Sequence, residues 1–277
     1  MSIMNDSNLA PFLQHIAHCH TARLPGTRRP FYCEQIQIGW VDPRIFSALG
    51  ELRLETGDGF GVPHGSDLQN LGAELACREL YRPHHELFDV STLDNRVLGQ
   101  IDRGALPLLG LTAQGVHLNG LVRKESGLFI WLGHRSPHKR LDPGKLDHLV
   151  AGGVCAGIGP LEALAKEAEE EASIKADLIA QAKPVATIRY AMERPEGLRR
   201  DTLHCYDLYL PEAFVPEPAD GEVEFFKLLP IEEVFSLVRD TQKVKFNVNL
   251  VLIDLFLRQN LFSPSDAAIL RAALNAS

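Results

Sequence analysis

The sequence lacks any apolar run near the roughly 18–20 residues that a membrane-spanning helix needs. Its opening, MSIMNDSNLAPF, has neither the basic start nor the long apolar stretch of a secretory leader. Cysteine is sparse and unpaired: Cys19, Cys33, Cys77, Cys155 and Cys205 are odd in number, with no close pair. That pattern argues against a disulfide framework or a zinc site, and for reduced thiols in a cytoplasm. A basic surplus is missing too. With 28 Lys and Arg against 36 Asp and Glu, the formal net charge is −8, so the chain has no bulk attraction for nucleic acid or an anionic membrane. A phosphate ligand would have to be held by a local site or by a metal. Internal repeats are absent. So are a GxxxxGK[ST] phosphate loop and a GxSxG nucleophile elbow, which leaves no case for a kinase ATP site or for covalent catalysis.

With 277 residues, the chain can build one large domain or two ordinary ones. The first part begins with an amphipathic segment, LAPFLQHIAHC, and one strand-like run, YCEQIQIGWV. The short helical piece RIFSAL, a Gly-rich loop and the helix LGAELACRELYR follow, then a connection through RVLGQIDRGALPLLGL. From about Thr112 the pattern changes. GVHLNGLVRK and GLFIWLGHRS read as two strands joined at Glu125-Ser126, and DHLVAGGV as a third short apolar run. A Gly-rich loop leads into the helix PLEALAKEAEEEASI, with Pro160 near its first turn. Strands return at PVATIRYAM, TLHCYDLYL and EVEFFKLL, and three helices close the chain. This order predicts an α/β protein with a mixed sheet and helices on both faces, preceded by a smaller α+β domain. The boundary falls near residue 112, giving domains 1–111 and 112–277.

The acidic helix carries the chemistry. At 100° per residue, Glu167, Glu170 and Glu171 span an arc of about 100°, beside an apolar arc of Leu161, Leu164, Ala165, Ala168 and Ala172. Three crowded carboxylates repel one another unless a cation sits among them, and hard oxygen ligands suit Mg²⁺ or Mn²⁺. The plain alternative is a solvated helix face. Upstream, Gly152, Gly153 and Gly157 allow the backbone to approach a phosphate closely, which makes Gly153 a substrate-binding candidate.

These residues resemble the Nudix box. Gly152 takes its opening glycine, and Lys166 to Ile174 its closing part. The resemblance implies a Nudix α/β/α sandwich and metal ligation by Glu167, Glu170 and Glu171. Three positions depart from the pattern: Ile158 replaces a Glu, Lys166 an Arg, and Ser173 a Gly. In the family that Glu and Arg brace the loop against the helix, and here both partners have changed. Further segments, among them GALPLLGLTAQGVHLNGLV, KLDHLVAGG and KFNVNLVLIDLFLRQNLFSP, resemble the thiamin pyrophosphokinase-related Nudix subfamily, whose members carry an extra N-terminal domain. The resemblance implies Mg²⁺-dependent hydrolysis of a small-molecule diphosphate to a monophosphate, with damaged thiamine diphosphates as substrates. A non-catalytic sensor of a phosphorylated metabolite is the alternative. Monomer and homodimer both stay open.

Other candidates are weighed singly. Glu222 and Glu224 follow the Asp220-Gly221 turn, where many Nudix enzymes place an extra carboxylate; Glu171 or Glu222 is the expected proton acceptor. Arg135 and Arg189 could grip a diphosphate, although surface arginines occur as readily. His117, between apolar neighbours, reads as a hydrogen-bonded structural histidine. In the first domain Phe31, Tyr32, Trp40 and Phe60 could meet a flat heterocycle, though core packing is the stronger reading.

Overall fold

The computed structural model describes residues 8–92 and 94–276. Helix α1 (Ala10–Cys19) is followed by strands β1 (Arg29–Cys33) and β2 (Ile36–Val41), then α2 (Phe46–Glu51), β3 (Glu55–Thr56), β4 (Gly59–Val62) and α3 (Asp67–Cys77). The hairpin β5 (Leu87–Ser91) and β6 (Val97–Asp102) leads through α4 (Leu106–Leu109) into β7 (Thr112–Lys124). Next come β8 (Gly127–Arg135), β9 (Leu146–His148), β10 (Val150–Gly153), α5 (Pro160–Ala172) and the short α6 (Ala176–Ile179). The chain ends with β11 (Lys183–Arg194), β12 (Gly197–Tyr209), β13 (Val223–Pro230), α7 (Ile231–Asp240), α8 (Val248–Arg258) and α9 (Pro264–Leu274).

Two expectations need correction here. The run YCEQIQIGWV is not one strand but a hairpin that turns at Glu34 and Gln35, with φ of 51° and 66°. Neither residue is Gly or Asn, so the turn carried no chemical signal. The connection 96–111 holds strand β6 and helix α4. β6 is only partly buried along most of its length, so it shows no clean apolar alternation.

The main sheet is mixed and runs β11-β12-β7-β8-β13. β12 lies parallel to β7, and the other pairings are antiparallel. β7 shares its second edge between two partners: Gly115–Leu118 pair with β10, and Gly120–Lys124 with β8. β7 and β8 therefore diverge, and β9 and β10 fill the fork. β7 buries seven consecutive residues because layers cover both its faces. On one face α5 and α6 pack Ala163, Leu164 and Ala168 against Val116, Leu118 and Val150. On the other, α7, α8 and α9 enclose Phe235, Phe256 and Leu270 over Leu121, Ile130 and Leu203. The result is the expected α/β/α sandwich.

A separate core, built from Phe31, Leu49, Phe60, Leu68, Leu75 and Ile101, serves the residues from β1 to α4, with the small sheet β2-β1-β4-β3. Helix α1, though inside the stretch 1–111, packs elsewhere. Its Phe12, Ile16 and Cys19 join the core of the C-terminal helices, with the Phe12 ring 4.9 Å from Phe235 and 5.0 Å from Phe262.

Candidate active site

A cavity of about 990 Å³ opens between the two parts. From the first part it takes His84, Glu86, Phe88, Arg103, Leu106 and Pro107. The second part supplies Gly152, Gly153, Glu167, Glu170 and Glu222, with His117 and Lys245 on the same lining.

Helix α5 begins at Pro160 after extended Gly159, and ends at Ser173 in the left-handed region, φ 54°. A glycine fits such a C-terminal position without steric cost, which explains the family's preference there. The wheel grouped three glutamates that the fold separates by burial. Glu171 is 7% exposed, beside Ala168 and Ala172. The Glu167 side chain is 16% exposed, and Glu170 is half exposed. Leu161, expected on the apolar arc, is 50% exposed because it sits in the first turn, beyond the packed stretch.

Glu171 accepts a hydrogen bond from the Ala151 N–H at 2.9 Å. Burial pushes its pKa well above the carboxylate range, and Asp147, Glu167 and Glu222 add to the effect. Glu167 is pushed up to about 7, first by burial and then by Glu170, Glu86 and Glu222, with Lys166 opposing. Oxygens of Glu171, Asp220 and Glu222 lie within 4.8 Å of one another. Asp220 was missed in the sequence, where it read only as a turn residue. It is one, since its Oδ1 accepts the Glu222 N–H at 2.8 Å, and that same turn folds both carboxylates toward α5. Glu222 also pairs with Lys139, while Glu224 turns away to His134, 3.0 Å distant.

The remaining candidates disperse. Arg135 lines the cavity, but its nitrogens are held by Asp147 Oδ2 (2.6 Å), Asp142 O (3.2 Å) and Leu141 O (2.9 Å). Arg189 is exposed on β11, opposite Thr202, and does not line the cavity. The close approach at Gly153 is to a side chain: a Cβ there would lie 2.5 Å from Phe88 Cζ. Phe31 and Phe60 are core residues, and Tyr32 and Trp40 do not line the cavity; Phe88 and Tyr81 are the aromatic residues that do. Strand alternation turns Phe31 inward, and no sequence pattern marks Phe88 as its replacement.

The changed brace is also visible. Lys166 pairs with Glu170 at 3.4 Å, and Ile158 packs on the core under α5. Glu86, from the first part, fills the neighbourhood with a carboxylate. It accepts from Cys155 Sγ at 3.0 Å and Arg103 Nη1 at 2.9 Å, and against the upward push of burial these groups and Lys166 together hold its pKa low.

Residues 114–249 match the profile of the NUDIX domain. The chain carries a Nudix domain. It is 41% identical over 187 residues to Nudix hydrolase 20, chloroplastic, of Arabidopsis thaliana, covering 67% of this chain and 50% of that protein. It is 44% identical over 170 residues to Nudix hydrolase 24, chloroplastic, of the same plant, covering 61% and 47%. The chain thus matches about half the length of these relatives. Among solved structures, DR0079 from Deinococcus radiodurans is 23% identical, with a TM-score of 0.48, covering 60% of this chain and 97% of that one. The expectation of a cytoplasmic protein is corrected by the two plant relatives, which are chloroplastic by name. Unpaired cysteines report on redox state, and do not distinguish one reducing compartment from another.

Proposed function

We propose that the protein is a metal-dependent diphosphate hydrolase, cutting a small-molecule diphosphate to a monophosphate. The observation that carries this reading is the convergence of Glu171, Asp220 and Glu222, with Glu167, Asp220 and Glu222 lining the cavity and the buried Glu171 paired to no lysine or arginine among the described residues. Hard carboxylate oxygens crowded beyond their mutual repulsion fit Mg²⁺ or Mn²⁺. Glu167 and Glu171 would hold the ion from the helix, Asp220 and Glu222 from the facing loop, and Glu170 at the solvent side. When bound, such an ion polarises the phosphoryl group and acidifies the attacking water.

The protein's own groups do the rest. Glu171 or Glu222 would take the proton, and Lys139, which pairs with Glu222, would orient it. Phe88 closes the cavity over Gly153, and Glu86 and Arg103 flank it. Arg200 lines the cavity with one protein partner, Gly110 O at 3.0 Å, and no carboxylate among the described residues. It is thus a donor available to the organic part of a substrate. Residues from β1 to α4 would select the substrate, and damaged thiamine diphosphates are the first candidates. The test is phosphate release from a panel of diphosphates with and without Mg²⁺, thiamine derivatives included. Metal-dependent turnover of one class supports the reading. Tight binding with no turnover of any would favour the sensor.

A further inference from the structure

The cavity floor holds a second charged group, apart from the acidic residues. Asp147 Oδ2 accepts from two cations, Arg135 Nη1 at 2.6 Å and Lys245 Nζ at 2.9 Å. All three side chains are nearly buried, 6% exposed for the acid and 11% for each base. Asp147 Oδ1 is already used by the His148 backbone N–H. Of the neighbouring carboxylates, Asp142 is committed to Lys145 and Asp201 to Arg199 and Tyr190, and Glu171, on which Asp147 acts electrostatically, makes no ion pair with Arg135 or Lys245. One negative and two positive charges leave this buried cluster at +1. An uncompensated buried charge is costly unless a counter-ion reaches it.

Beside it, His117 Nδ1 and His148 Nδ1 share a hydrogen bond of 2.9 Å. Both rings are nearly fully buried, and burial with the nearby cations keeps them neutral, His148 pushed down to about 4. The proton positions follow from partners. His148 Nε2 is enclosed and has no partner. A buried N–H without an acceptor costs more than a bare lone pair, so His148 carries its proton on Nδ1 and donates to His117. His117 must then carry its own proton on Nε2. Its Nδ1 is occupied, it lines the cavity, and no protein acceptor meets Nε2 among the described residues. His117 therefore offers an N–H to whatever enters.

We propose that Lys245 and His117 form a phosphate-oxygen subsite on the cavity floor, separate from the acidic cluster, which receives one phosphoryl group of the substrate. The +1 cluster supplies the attraction, and the His117 N–H supplies direction to an acceptor oxygen. A divalent cation held by His117, Asp147 and His148, whose ligand atoms also lie within 4.8 Å of one another, is the competing use of these residues. It is disfavoured because Asp147 already neutralises one cation and the ion would join the surplus charge.

The proposal extends the diphosphate reading of the cavity, but its test needs neither metal nor turnover. The full chain is melted in EDTA with inorganic phosphate, and with acetate, at constant ionic strength. Phosphate at roughly fivefold its dissociation constant should raise Tm by about 2–4 °C, and acetate should not. In Lys245→Met that response should vanish. The variant without phosphate should melt at or above wild type, because the Asp147–Arg135 pair left behind is neutral. His117→Asn keeps a polar atom toward His148 but loses the outward donor, and should weaken the response. His117→Gln, which restores a donor near Nε2, should recover part of it. No phosphate response in the wild type would overturn the proposal, as would an equal response to acetate or its retention in Lys245→Met. So would a Lys245→Met protein melting well below wild type, since the lysine would then be a required partner of Asp147. Phosphate binding without hydrolysis of any diphosphate would remove only the enzymatic reading. Hydrolysis without metal-free phosphate binding would remove only the subsite.

Discussion

The carboxyl of Glu167 occupies the space that a side chain on Gly152 would fill: a Cβ built there would lie 2.2 Å from Glu167 Cδ. The strand end and the helix are thus closely fitted to each other at this contact, beside the Ala151–Glu171 hydrogen bond. Gly152→Ala should push the Glu167 side chain off its position at little cost in stability. We expect a folded protein with at least a roughly tenfold lower rate and a weaker metal requirement curve. Full activity with unchanged metal affinity would show that Glu167 is free to move.

The glutamates of α5 should not contribute equally. Glu171→Gln should lower the rate by about two to three orders of magnitude, the scale of a lost electrostatic group at a reacting centre. The same change removes a buried carboxylate and should stabilise the metal-free protein. Glu170→Gln should cost less, because Glu170 is half exposed and paired to Lys166. Steady-state rates and metal titrations of both variants give the order. Equal losses would return Glu170 to the inner ligand set.

Metal-free stability should depend on pH through Glu167 and Glu171. A carboxyl whose folded pKa lies above its unfolded value adds stability below the unfolded value and loses it as pH rises through the folded one. For Glu167 that window runs from its ordinary 4.5 to about 7, a loss on the order of 3 kcal/mol. The buried His117 and His148 act oppositely, losing stability as pH falls below the ordinary 6.5. The clean readout is therefore a difference. In EDTA, Tm of Glu167→Gln minus that of wild type should grow between pH 5 and 7.5, and added Mg²⁺ should close the gap. A flat difference would place Glu167 in water.

Arg200 should act on substrate affinity. Arg200→Gln removes a charged donor from the cavity wall and should raise KM by roughly 10- to 100-fold, the range of a lost hydrogen bond to a charged group. The metal dependence should not change. A lower kcat at constant KM would instead put Arg200 near the reacting phosphorus.

The sandwich was readable because its signals are local. Strand alternation, the Glu125-Ser126 hairpin and Pro160 at the start of α5 each speak from within a few residues. The box glutamates were readable through their spacing, but spacing on a wheel does not say which one the sheet covers, and Glu171 proved to be the buried one. Asp220, Glu86 and Lys245 reach the cavity through turns and docking that join positions far apart in the chain, and no periodicity encodes that. Arg135 shows the reverse case. Its strand-end position suited a diphosphate grip, yet a carboxylate twelve residues later claimed it.

Helix α1 seals the core formed by the last three helices, and β7 begins the sheet of that same core. Everything between is therefore an insertion with two anchored ends, not a bead on a string. Cutting the chain before Thr112 would tear Phe12, Ile16 and Cys19 out of the Nudix fold along with the inserted module, and any loss of activity would say nothing about selectivity. The informative surgery is a cassette exchange, leaving α1 in place and splicing a relative's segment between the two junctions. On the proposed reading, exchanging that one wall would change which compound the molecule accepts, while the frame that holds its acids stays closed on itself.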